Sequence, residues 1–114
     1  HNGEKYLQES LKSVLYQTYK KWELVFLNNQ SEDKSKEIVL SLKDKRIKYF
    51  ETKSLLNLYQ ARNLAIAKAR GKYICFLDTD DWWIKDKLKL QISAFKKNQD
   101  YKFIFSNFYL YFQG

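Results

Sequence analysis

The sequence has few of the residues that interrupt or cross-link a chain. Its 114 residues include no proline, three glycines and one cysteine. Without proline, low-complexity tracts or internal repeats there is no linker to divide the chain, so a single domain is predicted. The single cysteine excludes an internal disulfide. Because Cys75 lies between Ile74 and Phe76 in an apolar run, we expect a small buried strand residue in a protein of a reducing compartment.

Long apolar runs are also absent, and none approaches the roughly 20 residues of a membrane-spanning helix. The net charge is +8, from 21 Lys and Arg against 13 Asp and Glu. Such an excess would suit a nucleic-acid partner if it were concentrated. The basic residues are scattered along the chain, so we expect no nucleic-acid partner. A basic exterior favours anionic membrane headgroups or a phosphate-bearing acceptor.

Hydrophobic periodicity predicts strands that alternate with helices. The predicted strands cover residues 22–27, 46–50, 72–77 and 101–105. The predicted helices cover residues 4–18, a segment around Ile38, Val39 and Leu42 capped by Ser31 or Asp33, residues 59–70 closed by Gly71, and residues 85–97. This alternation indicates an α/β fold with a mostly parallel sheet and right-handed crossovers.

Three carboxylates, Asp78, Asp80 and Asp81, follow the predicted strand 72–77 directly. That strand carries no charge after Lys72, which is typical of a parallel strand buried on both faces. Ligands bind beyond the carboxyl ends of such strands, and Mg²⁺ and Mn²⁺ prefer oxygen ligands that include one or two carboxylates. The pattern favours a metal site. For an isolated pair at this spacing, a turn followed by a helix cap explains it equally well.

A second polar cluster, residues 28–33, follows the predicted strand 22–27. It should reach the same edge of the sheet as Asp78. The Asn29 amide could contact a ligand, since it carries both a donor and an acceptor. An Asx-type turn with a helix cap remains open as the role of Ser31 and Asp33.

Four segments, in this order, resemble the inverting family-2 glycosyltransferases of the GT-A fold. They are residues 2–7 with 13–19, residues 22–33, residues 61–63, and residues 76–83, which read Phe-Leu-Asp-Thr-Asp-Asp-Trp-Trp. The resemblance implies a Rossmann-like nucleotide-binding half with a mostly parallel sheet flanked by helices. It also implies transfer of a sugar from a nucleoside diphosphate donor, with UDP-sugars favoured, to a hydroxyl of a glycan or lipid-linked acceptor.

The resemblance further suggests roles for single residues. Asp80 would be the principal ligand of Mn²⁺ or Mg²⁺, with Asp78 beside it. Asn29 stands where the family commonly has an acidic residue that contacts the nucleotide base. Arg62 would pair with the diphosphate or clamp one of the aspartates, because a guanidinium matches both groups.

Asp81 and Trp82 would contact the sugar or the acceptor, although a tryptophan after such a turn is as often a packing anchor. The resemblance implies a role in bacterial surface-polysaccharide or lipopolysaccharide synthesis. We expect a cytoplasmic protein with peripheral contact at the inner face of the membrane. The rival interpretation is a non-catalytic α/β binding or assembly module of the same fold.

The chain, residues 1–114, is expected to be one partial nucleotide-sugar-binding domain, because it is short for an enzyme of this class. In the family an apolar strand precedes the segment that resembles residues 2–7, and the catalytic base would follow residue 114. We therefore expect the first strand and the acceptor-binding half to be missing, and the chain to self-associate through an exposed sheet edge. Residues 110–114 match the tail of a common engineered protease site and are assigned no function.

Overall fold

The computed structural model describes residues 1–112. Along the chain it contains α1 (Glu4–Leu15), β1 (Leu24–Asn28), α2 (Ser35–Ser41), β2 (Ile47–Glu51), α3 (Leu58–Lys68) and α4 (Lys87–Lys97). The strands β1 and β2 pair in parallel, and α2 makes the crossover between them. Gln113 and Gly114, which end the protease-site-like tail, lie outside the described residues.

The hydrophobic core lies between α1, α2 and one face of the sheet. Leu7 and Leu11 are four residues apart on α1, so they share one face of the helix, and both are at most 4% exposed. They meet Val39 of α2 and partly buried sheet residues at alternate positions, which are Leu24, Phe26, Ile47 and Tyr49. Each fully buried aliphatic side chain contributes about 1.5–3 kcal/mol to stability, so this cluster anchors α1 and α2 to the sheet.

The register of the sheet brings aromatic side chains together across the strands. Phe26 stands opposite Tyr49, and their stacked rings lie 6.0 Å apart between centroids. On β2 the next residue, Phe50, points to the opposite face, where the Lys68 ammonium of α3 lies 5.3 Å from its ring centroid. Helices therefore flank the sheet on both faces, which confirms the predicted α/β architecture.

The predicted strand 72–77 is wrong. These residues form no ladder, and Ile74, Cys75 and Phe76 are exposed, so Cys75 is not the buried strand residue that we expected. A cleft of about 1060 Å³ is lined by this segment, β1, α1, α3 and α4. The sheet described in residues 1–112 has the order β1-β2, which leaves one edge of β1 unpaired on that side. A strand needs a hydrogen-bonding neighbour, and across the cleft the segment has none.

Other boundaries differ from prediction in smaller ways. α1 ends at Leu15 rather than at residue 18, and residues 101–105 form no strand. α3 begins with a capping box, in which the side chains of Asn57 and Gln60 each accept from the other residue's backbone N–H. Gly71 does not cap its C-terminus, because Ala69 ends the helix in an extended conformation. Among residues 1–112, no helix is both long enough and apolar enough to cross a membrane.

Candidate functional site

The three predicted carboxylates lie on one turn that α1 supports. The carbonyl oxygen of Asp78 accepts hydrogen bonds from the backbone N–H of Asp81, at 3.1 Å, and from the Ser10 hydroxyl of α1, at 3.3 Å. Asp80 and Asp81 are both exposed. The turn of the alternative interpretation therefore exists, but its helix cap does not, because α4 begins at Lys87 with Asp86 as its N-cap. The turn leaves the carboxylates of Asp80 and Asp81 exposed to solvent.

Arg62 joins this turn to α3. Its Nη2 atom donates to both carboxylate oxygens of Asp78, at 2.9 Å to Oδ1 and 3.2 Å to Oδ2. The guanidinium also lies 5.4 Å from the ring centroid of Phe76. Of the two partners that the sequence left open for Arg62, a phosphate or a carboxylate, the structure shows the carboxylate.

The donor set can be tested against the needs of a divalent cation. Within residues 1–112, no three His, Cys, Asp or Glu side chains converge as a ready-made cage. Mg²⁺ commonly takes one or two protein carboxylates and fills its other positions with water and substrate phosphate. Asp80 fits this requirement, because its carboxylate is exposed and accepts no hydrogen bond from any described residue. Asp78 fits less well, since Arg62 already neutralises it.

Asn29 lies at the end of β1 and holds a neighbouring loop. Its Nδ2 donates to the Leu56 carbonyl oxygen at 2.8 Å, while its Oδ1 accepts from the Leu56 N–H at 2.9 Å and from the Thr52 hydroxyl at 3.2 Å. Its amide thus contacts residues 52–56 rather than the carboxylate turn. One amide hydrogen of Asn29 remains for a further acceptor.

The rest of the polar cluster joins the N-termini of α1 and α2. Asp33 accepts from the backbone N–H groups of Glu4, at 2.8 Å, and Ser35, at 3.0 Å, while Glu4 accepts from the N–H of Lys34 at 3.1 Å. Burial raises the pKa of Asp33, but hydrogen bonds from Ser35 and Glu4 outweigh burial and leave that pKa below its usual value. Ser31 likewise accepts from the Asn2 N–H. Asp33 thus forms the predicted Asx-type turn before α2, whereas Ser31 does not cap that helix, whose N-cap is Lys34.

Trp82 and Trp83 follow the turn in different surroundings. Trp82 is 50% exposed and meets Tyr111 edge to face, with 5.7 Å between ring centroids. Trp83 is half-buried, and the Lys87 ammonium lies 5.1 Å from its ring centroid. Trp82 therefore presents an accessible aromatic surface beside Asp81, and Trp83 packs against the start of α4.

Sequence reasoning missed one residue that bears on the site. Gln17 is fully buried and hydrogen-bonds to the segment that follows Trp83. A signal was present, because position 17 continues the α1 stripe of positions 7, 10, 11 and 14, where a core-facing polar residue must find buried partners.

Comparison with known proteins identifies glycosyltransferases that are similar in sequence to this chain. The chain is 40% identical over 108 residues to UDP-Glc:alpha-D-GlcNAc-diphosphoundecaprenol beta-1,3-glucosyltransferase WfgD of Escherichia coli, which covers 95% of this chain and 42% of that protein. It is 34% identical over 110 residues to the E. coli enzyme WfaP, whose name states the same reaction, covering 96% of this chain and 43% of that protein. The chain thus spans less than half the length of these curated relatives.

Comparison with solved structures finds a chain with a similar fold. The crystal structure of S. aureus TarS superposes with a TM-score of 0.81 at 28% identity, covering 86% of this chain and 18% of that one. The family model described as Glycosyl transferase family 2 matches residues 1–113. That match takes in both strands and the whole carboxylate turn, and the chain therefore belongs to glycosyl transferase family 2.

Proposed function

We propose that this chain forms the nucleotide-sugar-binding part of a glycosyltransferase that moves a sugar from a nucleoside diphosphate donor to an acceptor hydroxyl. The observation that carries the proposal is the turn at residues 78–81. There Arg62 neutralises Asp78, while the Asp80 carboxylate remains open to solvent beside it. A cation and an exposed carboxylate side by side suit a diphosphate that arrives with a divalent metal.

Asp80 is the residue we assign to Mn²⁺ or Mg²⁺, with Asp78 as a second carboxylate. When bound, such a metal neutralises the charge that develops on the leaving diphosphate. Arg62 holds Asp78 in place and offsets its negative charge beside the same group. Asn29 is proposed to contact the nucleotide base. Asp81 and Trp82 are proposed to contact the sugar or the acceptor, because both of these side chains are exposed at the turn.

The proposed reaction is a direct displacement with inversion at the anomeric carbon. The acceptor hydroxyl gives its proton to a base and forms a new bond to that carbon, while the bond to the diphosphate oxygen breaks and the nucleoside diphosphate leaves. No described residue is assigned as that base. Asp81 is not assigned as the base, since its position next to Asp80 favours contact with the sugar donor.

The substrates are proposed from the two relatives. Both are named for UDP-glucose and for an acceptor sugar on diphosphoundecaprenol. We infer a UDP-sugar donor and a lipid-linked glycan acceptor, as in the synthesis of bacterial surface polysaccharides. A lipid-linked acceptor brings the protein to the cytoplasmic face of a membrane, and the net charge of +8 suits peripheral contact with anionic headgroups.

Titration with UDP in the presence and absence of Mn²⁺ tests the proposal. Asp80→Asn should weaken Mn²⁺-dependent UDP binding at least about tenfold, because the amide carries no charge, and should leave thermal stability nearly unchanged at an exposed site. The matched control is Asp100→Asn, which removes an exposed carboxylate outside the turn. Unchanged UDP binding in Asp80→Asn would overturn the metal assignment. Binding of RNA but not UDP at the same salt would overturn the function.

A further inference from the structure

Gln17 is a fully buried polar residue just beyond the end of α1. Its Nε2 donates to the carbonyl oxygen of Ser13, at 3.0 Å, and to that of Ile84, at 2.7 Å. Its Oε1 accepts from the N–H of Leu88 at 3.0 Å. One carboxamide therefore ties α1 to the loop after the tryptophans and to the first turn of α4.

Thr18 extends this connection. Its backbone N–H donates to the Lys85 carbonyl oxygen at 2.9 Å, and its hydroxyl donates to the Asp86 carboxylate at 2.6 Å. Together with Gln17, it fixes residues 84–88 to the C-terminal end of α1. These residues come immediately after the carboxylate turn and the two tryptophans.

The other side of the turn is fixed by residues nearer the N-terminus of α1. Ser10 donates to the Asp78 carbonyl oxygen, as described above. Gly3, which precedes α1, lies so close to Thr79 that a Cβ atom at position 3 would come within 2.9 Å of the Thr79 side chain. The segment that contains Asp80 and Asp81 is thus held on both sides by α1, although the segment itself is neither helix nor strand.

We propose that Gln17 is a positioning residue for the diphosphate site. It sets where Asp80, Asp81 and Trp82 lie by fixing the far end of their loop at Ile84. This inference rests on the proposed function and adds a residue to it. Binding geometry is sensitive to such anchors, because a displacement of about 1 Å at a site is enough to lose much of its activity.

The Ile84 contact separates this role from ordinary packing. A buried amide costs free energy unless its hydrogen bonds are made, and the three bonds of Gln17 join α1 to the loop and to α4 rather than fill space in the core. What the amide adds is a specific distance between α1 and the loop. Loss of Gln17 should therefore affect the turn more than it affects the core.

The test uses Gln17→Leu with Leu11→Ala as the matched control on the same helix. Leu11→Ala removes core volume and should cost about 2–5 kcal/mol of stability, with the turn contacts intact. At a temperature where both variants are folded, Gln17→Leu should weaken Mn²⁺-dependent UDP binding about tenfold, and Leu11→Ala should leave it within about twofold. Amide hydrogen exchange at residues 79–84 should accelerate in Gln17→Leu only.

Equal UDP binding and equal exchange at residues 79–84 in Gln17→Leu and the unmodified chain would overturn the inference. So would an equal loss in Leu11→Ala. If the unmodified chain binds no UDP, the proposed function fails, and the exchange measurement alone decides the role of Gln17. Should Gln17→Leu not fold, Gln17→Asn tests the same contact, because it keeps a buried amide but shortens its reach to the Ile84 carbonyl oxygen by one methylene group. It should weaken UDP binding and accelerate exchange at the turn, and normal values for both would overturn the inference.

Discussion

Arg62 and Asp78 form an ion pair in which one guanidinium nitrogen serves both carboxylate oxygens, at 2.9 and 3.2 Å. The two side chains are 37% and 57% exposed. Exposed pairs contribute only about 0–1 kcal/mol to stability, because water screens both charges. The pair therefore matters less for the stability of the fold than for the position and the charge of the Asp78 carboxylate at the turn.

The first prediction concerns this pair. Asp78→Asn and Arg62→Gln should each weaken Mn²⁺-dependent UDP binding several-fold, and the double variant should be no weaker than the worse single one, since Arg62 acts by holding Asp78. The unfolding free energy should change by less than about 1 kcal/mol in all three. Calorimetric titration and denaturant unfolding measure the two effects. Fully additive losses in UDP binding would show that Arg62 and Asp78 contact the ligand independently.

The second prediction concerns Asn29. In Asn29→Asp the side chain can no longer donate to the Leu56 carbonyl oxygen and places a charged acceptor against it. Stability should fall by about 1–3 kcal/mol. If Asn29 also contacts the base, as we propose, the affinities for UDP, GDP and CDP should change by different factors. Asn107→Asp, an exposed site with the same change of charge, is the control. Three affinities that fall together would restrict Asn29 to the loop.

The sequence predicted the helices, which depend on local residue patterns, better than it predicted contacts between residues that are distant along the chain. The stripe of Leu7 and Leu11 is enough to predict α1, because burial there follows helical spacing. Residues 72–77 have the composition of a strand, but a strand also requires a neighbour, and that neighbour is not encoded within the segment. The Asn29–Leu56 contact joins residues 27 positions apart. Only the folded chain selects it over the many other partners that an amide could take.

The partner of Arg62 is a second contact that the sequence alone did not determine. Its residue type predicts an anionic partner, and both a phosphate and a carboxylate satisfy that chemistry. Residue 78 lies 16 positions away, and the two meet because α3 and the carboxylate turn come together in the fold. The residue types therefore predicted an aspartate as one of two alternative partners of Arg62, whereas the fold was needed to select Asp78.

The third prediction is a pH dependence. Hydrogen bonds from the Arg46 side chain and backbone hold the pKa of Asp44 at about 2, below the usual 3.8. Because the folded-state pKa is lowered, ionised Asp44 stabilises the fold above about pH 4, and this contribution is lost as the pH falls towards 2. Asp44→Asn should cost at most about 1 kcal/mol at pH 7 and clearly less at pH 2, where Asp44 in the folded chain is about half protonated. Urea unfolding at both values, beside Asp100→Asn, measures the difference. A pH-independent cost would contradict it.

The fourth prediction is self-association. Among residues 1–112, one edge of β1 has no strand partner, and Ile74 and Phe76 are exposed across the cleft. Unpaired strand edges beside apolar surface promote pairing between copies. Light scattering on the 114-residue chain should therefore show a dimer or larger species, and Ile74→Lys should shift it towards monomer.

The control for this fourth prediction is Tyr16→Lys, which adds the same charge to an exposed residue outside the cleft. It should leave the association unchanged. A monodisperse monomer of the unmodified chain at matched concentration would show that the edge is already protected.

The reciprocal capping between α1 and α2 has a consequence for how the chain opens. Glu4 serves the start of α2 and Asp33 serves the start of α1, so fraying of either helix removes the cap of the other. Their positive dipole ends lie close together, and the two carboxylates offset a repulsion that either helix would otherwise meet. The two first turns should therefore open together as one cooperative unit, so that neither N-terminus frays independently of the other.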